Sequence, residues 1–180
     1  MMRQHTGPLL GWMVALVVAA AFCGLGTWQL QRMHAKEALL EEAARAQHQA
    51  FPLGEALAGP GRVHGVRDDG VALPGLILLD NQMREGRAGL RVYQRVRSGD
   101  GALVLVDLGW VPMPADRTIP AVEGVRGALV LRGLLVPPPS IGVALGPALQ
   151  ALPDGQGWLA LRLEPGALTE ALGTPVPARV

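Results

Sequence analysis

The chain has 180 residues, with 24 glycines, 15 prolines and a formal net charge of +1 at neutral pH. So even a balance of charge excludes the basic footprint of a nucleic-acid binder, and no nucleic-acid partner is expected. One cysteine, Cys23, leaves no disulfide framework, and the abundance of turn-forming residues favours a β-rich domain over a helical bundle.

The first predicted element is apolar. Residues 9–25 carry no charge and consist mainly of Leu, Val and Ala. At about 1.5 Å per residue, residues 9–28 span roughly 30 Å as a helix, the thickness of a hydrocarbon core. Trp12 and Trp28 stand near its ends, where indole rings favour the headgroup layer, and Arg3, Arg32 and Lys36 flank it. A cleaved secretory signal is the competing reading, with Ala19-Ala20-Ala21 as the cut, but the apolar run continues beyond that point. A lipoprotein signal at Cys23 is disfavoured by the bulky Phe22 before it. A helix apolar on all faces is also a poor fit to the core of one small soluble domain. The expectation is an uncleaved anchor, with the membrane as its partner. The positive charges before and after it are nearly even, so charge does not fix the orientation. The N-terminus is not the Arg- and Ser-rich ramp of a transit peptide, which points to a prokaryotic protein.

Residues 29–50 are rich in Ala, Leu, Glu and Gln without Gly or Pro, which predicts a juxtamembrane helix ending before Pro52. Glu41 and Arg45 support it at i,i+4 spacing. One further helical turn is expected over residues 52–58, stopped by Gly59-Pro60-Gly61. Residues 51–180 then read as strands and turns. Residues 71–80 contain the buried-strand run Leu76-Ile77-Leu78-Leu79, and Asp80-Asn81 with Gly86 and Gly89 bracket a loop. Residues 90–97 alternate apolar and polar, Ser98-Gly99-Asp100-Gly101 is a hairpin turn, and residues 102–106 return, closed by Gly109-Trp110-Val111-Pro112. Residues 128–136 form a strand ended by three prolines, residues 141–154 are irregular, and residues 158–163 form a last strand. A short helix over 166–172 is capped by Gly173. The fold class is α+β: a transmembrane helix (9–28) continued by a juxtamembrane helix (29–50), then a mostly antiparallel sheet or partly open barrel of five to seven strands.

Catalytic chemistry is not evident. The serines, Ser98 and Ser140, lie in no nucleophile elbow, and no phosphate-cradling loop is present. His5, His34, His48 and His64 have no metal-ligand spacing, and Asp68-Asp69 before Gly70 reads as a turn. No catalytic residue and no metal ligand is assigned, and the chain is not expected to be an enzyme.

Gly26, Trp28, Gln29, Arg32 and Lys36, placed directly after a first membrane helix, fit the pattern G-x-W-Q-x-x-R-x-x-x-K. Leu79-Asp80-Asn81, Gly86-Arg87-Ala88-Gly89, Gly109-Trp110-Val111-Pro112 and Leu131-Arg132-Gly133-Leu134 follow in order. In these stretches, within residues 9–139, the chain resembles the surfeit locus protein 1 family. Members of that family assist assembly of cytochrome c oxidase.

The resemblance implies a cytoplasmic N-terminus (residues 1–8), a bacterial inner-membrane anchor and an extracytoplasmic, periplasmic β domain (residues 51–180). It implies docking to cytochrome c oxidase subunit I or its assembly intermediates. Trp28, Gln29, Arg32, His34, Lys36, Asn81, Gly86, Gly89, Gly109 and Trp110 are the candidate partner- or heme-docking residues. Taken alone, Trp28 with its two cations also fits a plain interfacial anchor, Trp110 and Trp158 fit sheet-covering residues, and Gly86 and Gly89 fit turns. The chain departs from the family in two places. Asp107-Leu108 replaces an Asn-Arg pair, and no second apolar span is found in residues 157–180, as if the chain were truncated or carried one anchor. In bacterial relatives a histidine at that second helix is implicated in holding heme a. Its position has no counterpart here, which leaves His34 as the histidine to test against heme a, and no cofactor is otherwise assigned. The alternative from the residues alone is a single-anchor periplasmic β domain with a binding or structural role at the envelope, unrelated to respiration.

Overall fold

The computed structural model describes residues 6–59, 63–139, 146–153, 155, 157–173 and 175. Contacts divide the chain into two units, one up to Glu42 and one from Ala43 onward. Ser140, His5 and part of the stretch expected to be irregular lie outside the described residues.

Helix α1, Thr6–Ala46, runs for 41 residues. Among the described residues its apolar window is unburied, and it is long and apolar enough to cross a membrane. Within it the Thr27 hydroxyl donates to the carbonyls of Cys23 (3.1 Å) and Gly24 (2.8 Å), so this polar side chain is satisfied by its own helix. The helix ends at Ala46, earlier than the expected limit near residue 50. Residues 50 and 51 are instead drawn into a short strand β1, Ala50–Phe51, parallel to Gly65 and Val66.

Helix α2, Leu53–Ala58, begins after Pro52 and ends at Gly59, as the turn residues require. Its Leu53 N–H is satisfied by the Asp68 carboxylate at 2.8 Å. Asp68 and Asp69 therefore do not form a turn. They lie inside β2, His64–Arg84, and pair with Leu131 and Val130. Pairing to a distant strand overrides the local turn preference, and Asp68 is placed to hold a helix terminus.

β2 is the hub of the sheet. It pairs antiparallel with β3 (Arg87–Ser98) and β5 (Gly127–Leu135), and parallel with β1 and β7 (Gly157–Ala160). β4 (Leu103–Pro112) pairs with β3, and β6 (Leu149–Ala151) with β7. Among the described residues this is a mixed, mostly antiparallel sheet of seven strands that does not close. Helix α3, Pro165–Leu172, starts on proline and ends at Gly173, whose φ of 69° and N–H to Thr169 form the expected left-handed cap. The long apolar helix followed by an open sheet agrees with the α+β expectation.

The registers divide the core between the two faces. On one face lie two clusters. Val66, Val96, Val104 and Leu131 pack under Leu53 and Ala56 of α2, and Leu78, Leu90 and Val92 pack with Val122, Leu152 and Leu159. On the other face Ile77, Leu79, Tyr93 and Leu105 pack under Leu163 and Leu168 at α3. The alternation of β3 thus buries Tyr93 on what was expected to be the wet face, because α3 covers that half.

Candidate functional site

Residues singled out in the sequence fall into two groups, one in each unit. In α1, Trp28, Arg32 and Lys36 recur every fourth residue, and at about 100° per residue they form one stripe with Gln29 at its margin. All are exposed, and the Arg32 guanidinium lies 5.6 Å from the centroid of the Trp28 ring. That cation–π contact holds a charge beside an indole with its donors still turned to solvent. His34 is not part of the stripe. It points about 240° round from Trp28, and its Nδ1 lies 3.3 Å from Glu37 Oε2.

The second group is the end of the β2–β3–β4 meander. Asn81 has φ of 64° and occupies a bulge between Leu79 and Gln82, not the start of a loop. Its N–H donates to the Asp80 carboxylate (2.7 Å). β2 then continues to Arg84, and the loop contracts to Glu85 and Gly86, both at positive φ, the two-residue turn that suits strand twist. Gly89 is a seat for Trp110: a Cβ there would come within 2.3 Å of the indole. The Trp110 Nε1–H donates to the Gln82 carbonyl (2.8 Å), and Arg84 covers the ring at 6.0 Å. Gly109, at φ of 119°, forms the bulge that turns Trp110 onto Gly89. Asn81, Gly86, Gly89, Gly109 and Trp110 thus belong to one construction, but its indole N–H is already used internally. Asp107, one of the departures, pairs with Arg91 across the strands.

Three polar devices escaped the sequence reading. Asp80, 8 % exposed, holds Arg117 Nη2 at 2.9 Å and so ties residues 113–126 to the bulge. Nothing local announces a pairing across 37 residues. Gln94, 4 % exposed, donates Nε2 to the carbonyls of Leu73 (3.0 Å) and Val125 (2.9 Å) and accepts the Val125 N–H at 2.8 Å. Its signal was present: Gln94 is the amide on the apolar parity of Leu90, Val92 and Val96. Arg95 sits 6.0 Å from Trp158 and donates to the carbonyls of Pro74 and Leu172. Burial, and then the charge of Arg97, lower its pKa.

Residues 113–126 also wall an apolar cleft of 580 Å³ lined by Leu76, Leu78, Ile119, Val122, Leu152 and Pro153. Among the described residues no three His, Cys, Asp or Glu side chains gather as metal ligands. The geometry sets a cationic stripe on a helix, and a sheet tied by buried polar clamps.

The sequence profile of the SURF1 family matches residues 16–180. No curated protein and no solved structure matches the chain.

Proposed function

The chain belongs to the SURF1 family, and from that membership we propose that it is a membrane-anchored assembly factor for cytochrome c oxidase. It acts by docking, not by catalysis, on subunit I or an assembly intermediate that contains it. The observation that carries this reading is the family match, which takes in the Trp28–Lys36 stripe and the Asn81–Trp110 construction together. The anchor lies in a bacterial inner membrane, with the N-terminus cytoplasmic and the sheet domain periplasmic.

Trp28, Gln29, Arg32 and Lys36 present guanidinium, ammonium and amide donors at the end of the apolar run, where carboxylates of a heme a propionate or an acidic oxidase loop are the natural acceptors. Charge-assisted bonds to carboxylates are about twice as strong as neutral ones, and the indole fixes the arginine for them. His34 faces away from this stripe, so an axial role toward heme a is a separate test. The Asn81–Trp110 construction keeps the domain's end rigid for docking.

Arg32→Ala combined with Lys36→Ala is expected to lower oxidase content at least several-fold, read as the heme a band in reduced-minus-oxidised spectra of membranes. The variant itself remains in the membrane fraction. A full heme a band in that double variant, with the deletion strain deficient, removes the stripe from the mechanism. A full band in the deletion strain removes the assembly role altogether.

A further inference from the structure

Around the middle of β2 the sheet has four half-faces, and packed elements cover three of them. α2 lies on one, α3 on the half diagonal to it, and residues 113–126 with Leu152 on a third. The fourth is bare. α3 ends where its Leu172 carbonyl meets Arg95, and beyond that point Arg97 on β3, Arg67 and Val71 on β2, and Val130 and Arg132 on β5 share this face. The three arginines are exposed, and so are the valines, Val71 at 50 % and Val130 at 63 %.

Two features of this surface ask for a partner. Arg67 stands directly opposite Arg132 in the β2–β5 register, and like charges in that position repel. Arg67, Arg97 and Arg132 have no ion pair among the described residues, and of the two neighbouring acids on β2 Asp68 faces α2, so that Asp69 alone shares their face. The valines decide the kind of partner. Apolar side chains set among arginines gain from a layer of packed side chains, as at the centre of a protein interface, whereas a hydrated headgroup layer leaves them wet.

We propose that the exposed part of this half-face docks an acidic, amphipathic segment of a partner protein, with carboxylates on Arg67, Arg97 and Arg132 and apolar side chains on Val71 and Val130. The segment completes the two-layer packing that α3 supplies on the adjoining half. This does not depend on which complex the chain serves.

The test uses the full chain in phosphatidylcholine nanodiscs and a fluorescein-labelled helical peptide that carries Glu and Leu on one face. A second peptide with Lys for Glu is the control, and anisotropy is the readout. The Glu peptide is expected to bind, to weaken as salt rises, and to exceed the Lys peptide by about tenfold or more. Arg67→Glu turns the repelling pair into an attracting one, so the variant should unfold at no lower temperature than the parent yet lose about tenfold in peptide affinity. Val130→Asn should weaken binding without altering the salt dependence. No binding of the Glu peptide, equal binding of the Lys peptide, or unchanged affinity in Arg67→Glu overturns the proposal. Loss of peptide binding on adding phosphatidylglycerol to the nanodiscs also overturns it, since the face then belongs to anionic lipid.

Discussion

Gln94→Leu isolates one polar clamp from the rest of the fold. The substitution keeps nearly the same volume and joins Leu90, Val92 and Val96 on an apolar strand face. It removes the amide that serves the Leu73 carbonyl and both backbone groups of Val125. Each such bond contributes about 1 kcal/mol net, and a group left unpaired costs about as much again or more if water cannot reach it. Leucine recovers roughly 1 kcal/mol through the apolar surface it buries. The expected net loss is therefore about 2 kcal/mol, and it is local, because the bonds hold residues 113–126 to β2 and β3 and leave α3 untouched. Hydrogen exchange on the full chain reads this directly. At about 1.4 kcal/mol per decade, the Val125 amide should lose about 30-fold in protection, while the Leu168 amide, bonded to the Glu164 carbonyl on the other face, keeps its own. Unchanged protection at Val125 would falsify the clamp, and equal loss at both amides would show that the cost is global.

Gly89→Ala places a methyl within 2.3 Å of the Trp110 ring and 2.4 Å of the Val111 carbonyl, so strand β4 must shift; about 1–3 kcal/mol of stability should be lost, seen as a fall of several degrees in melting temperature. A melting temperature within a degree of the parent refutes the seating of the indole. The third prediction concerns pH. The Ser98 hydroxyl, and then the Ala102 N–H, hold the Asp100 carboxyl below its usual pKa. A depressed folded-state value means that this contribution is present above the unfolded pKa of about 3.9 and lost as pH falls through the folded value. Ser98→Ala should therefore flatten the fall in melting temperature below about pH 4, and an unaltered acid limb in that variant counts against the assignment.

The legible parts of this chain were those set by short-range physics. A run of residues without charge becomes a self-satisfied helix wherever it lies, and the glycine stop at Gly173 closes α3 from the sequence alone. The Ser98–Gly101 turn, the buried run Leu76–Leu79 and the family pattern from Gly26 to Lys36 were equally local. Residues of the Asn81–Trp110 construction could be named as candidates, but why they are needed could not. Asn81 is a bulge and Gly89 a seat only because β4 returns along β3 with an extra residue at the Leu108–Gly109 step.

Register and coverage were decided by the tertiary structure. Asp68 and Asp69 carry turn chemistry, yet β5 pairs with them from some sixty residues away, and no local preference reports such a partner. Tyr93 is buried because α3 happens to lie on that half of the sheet, and Arg67 faces Arg132 because of one particular alignment of β2 with β5. A one-residue slip would have turned those arginines to the other face. Sequence determines what each segment prefers by itself, since backbone strain, helix periodicity and solvation act over a few residues. Which faces meet, and which are left open for another protein, follows from packing between distant segments, whose energies exist only once the chain has closed on itself.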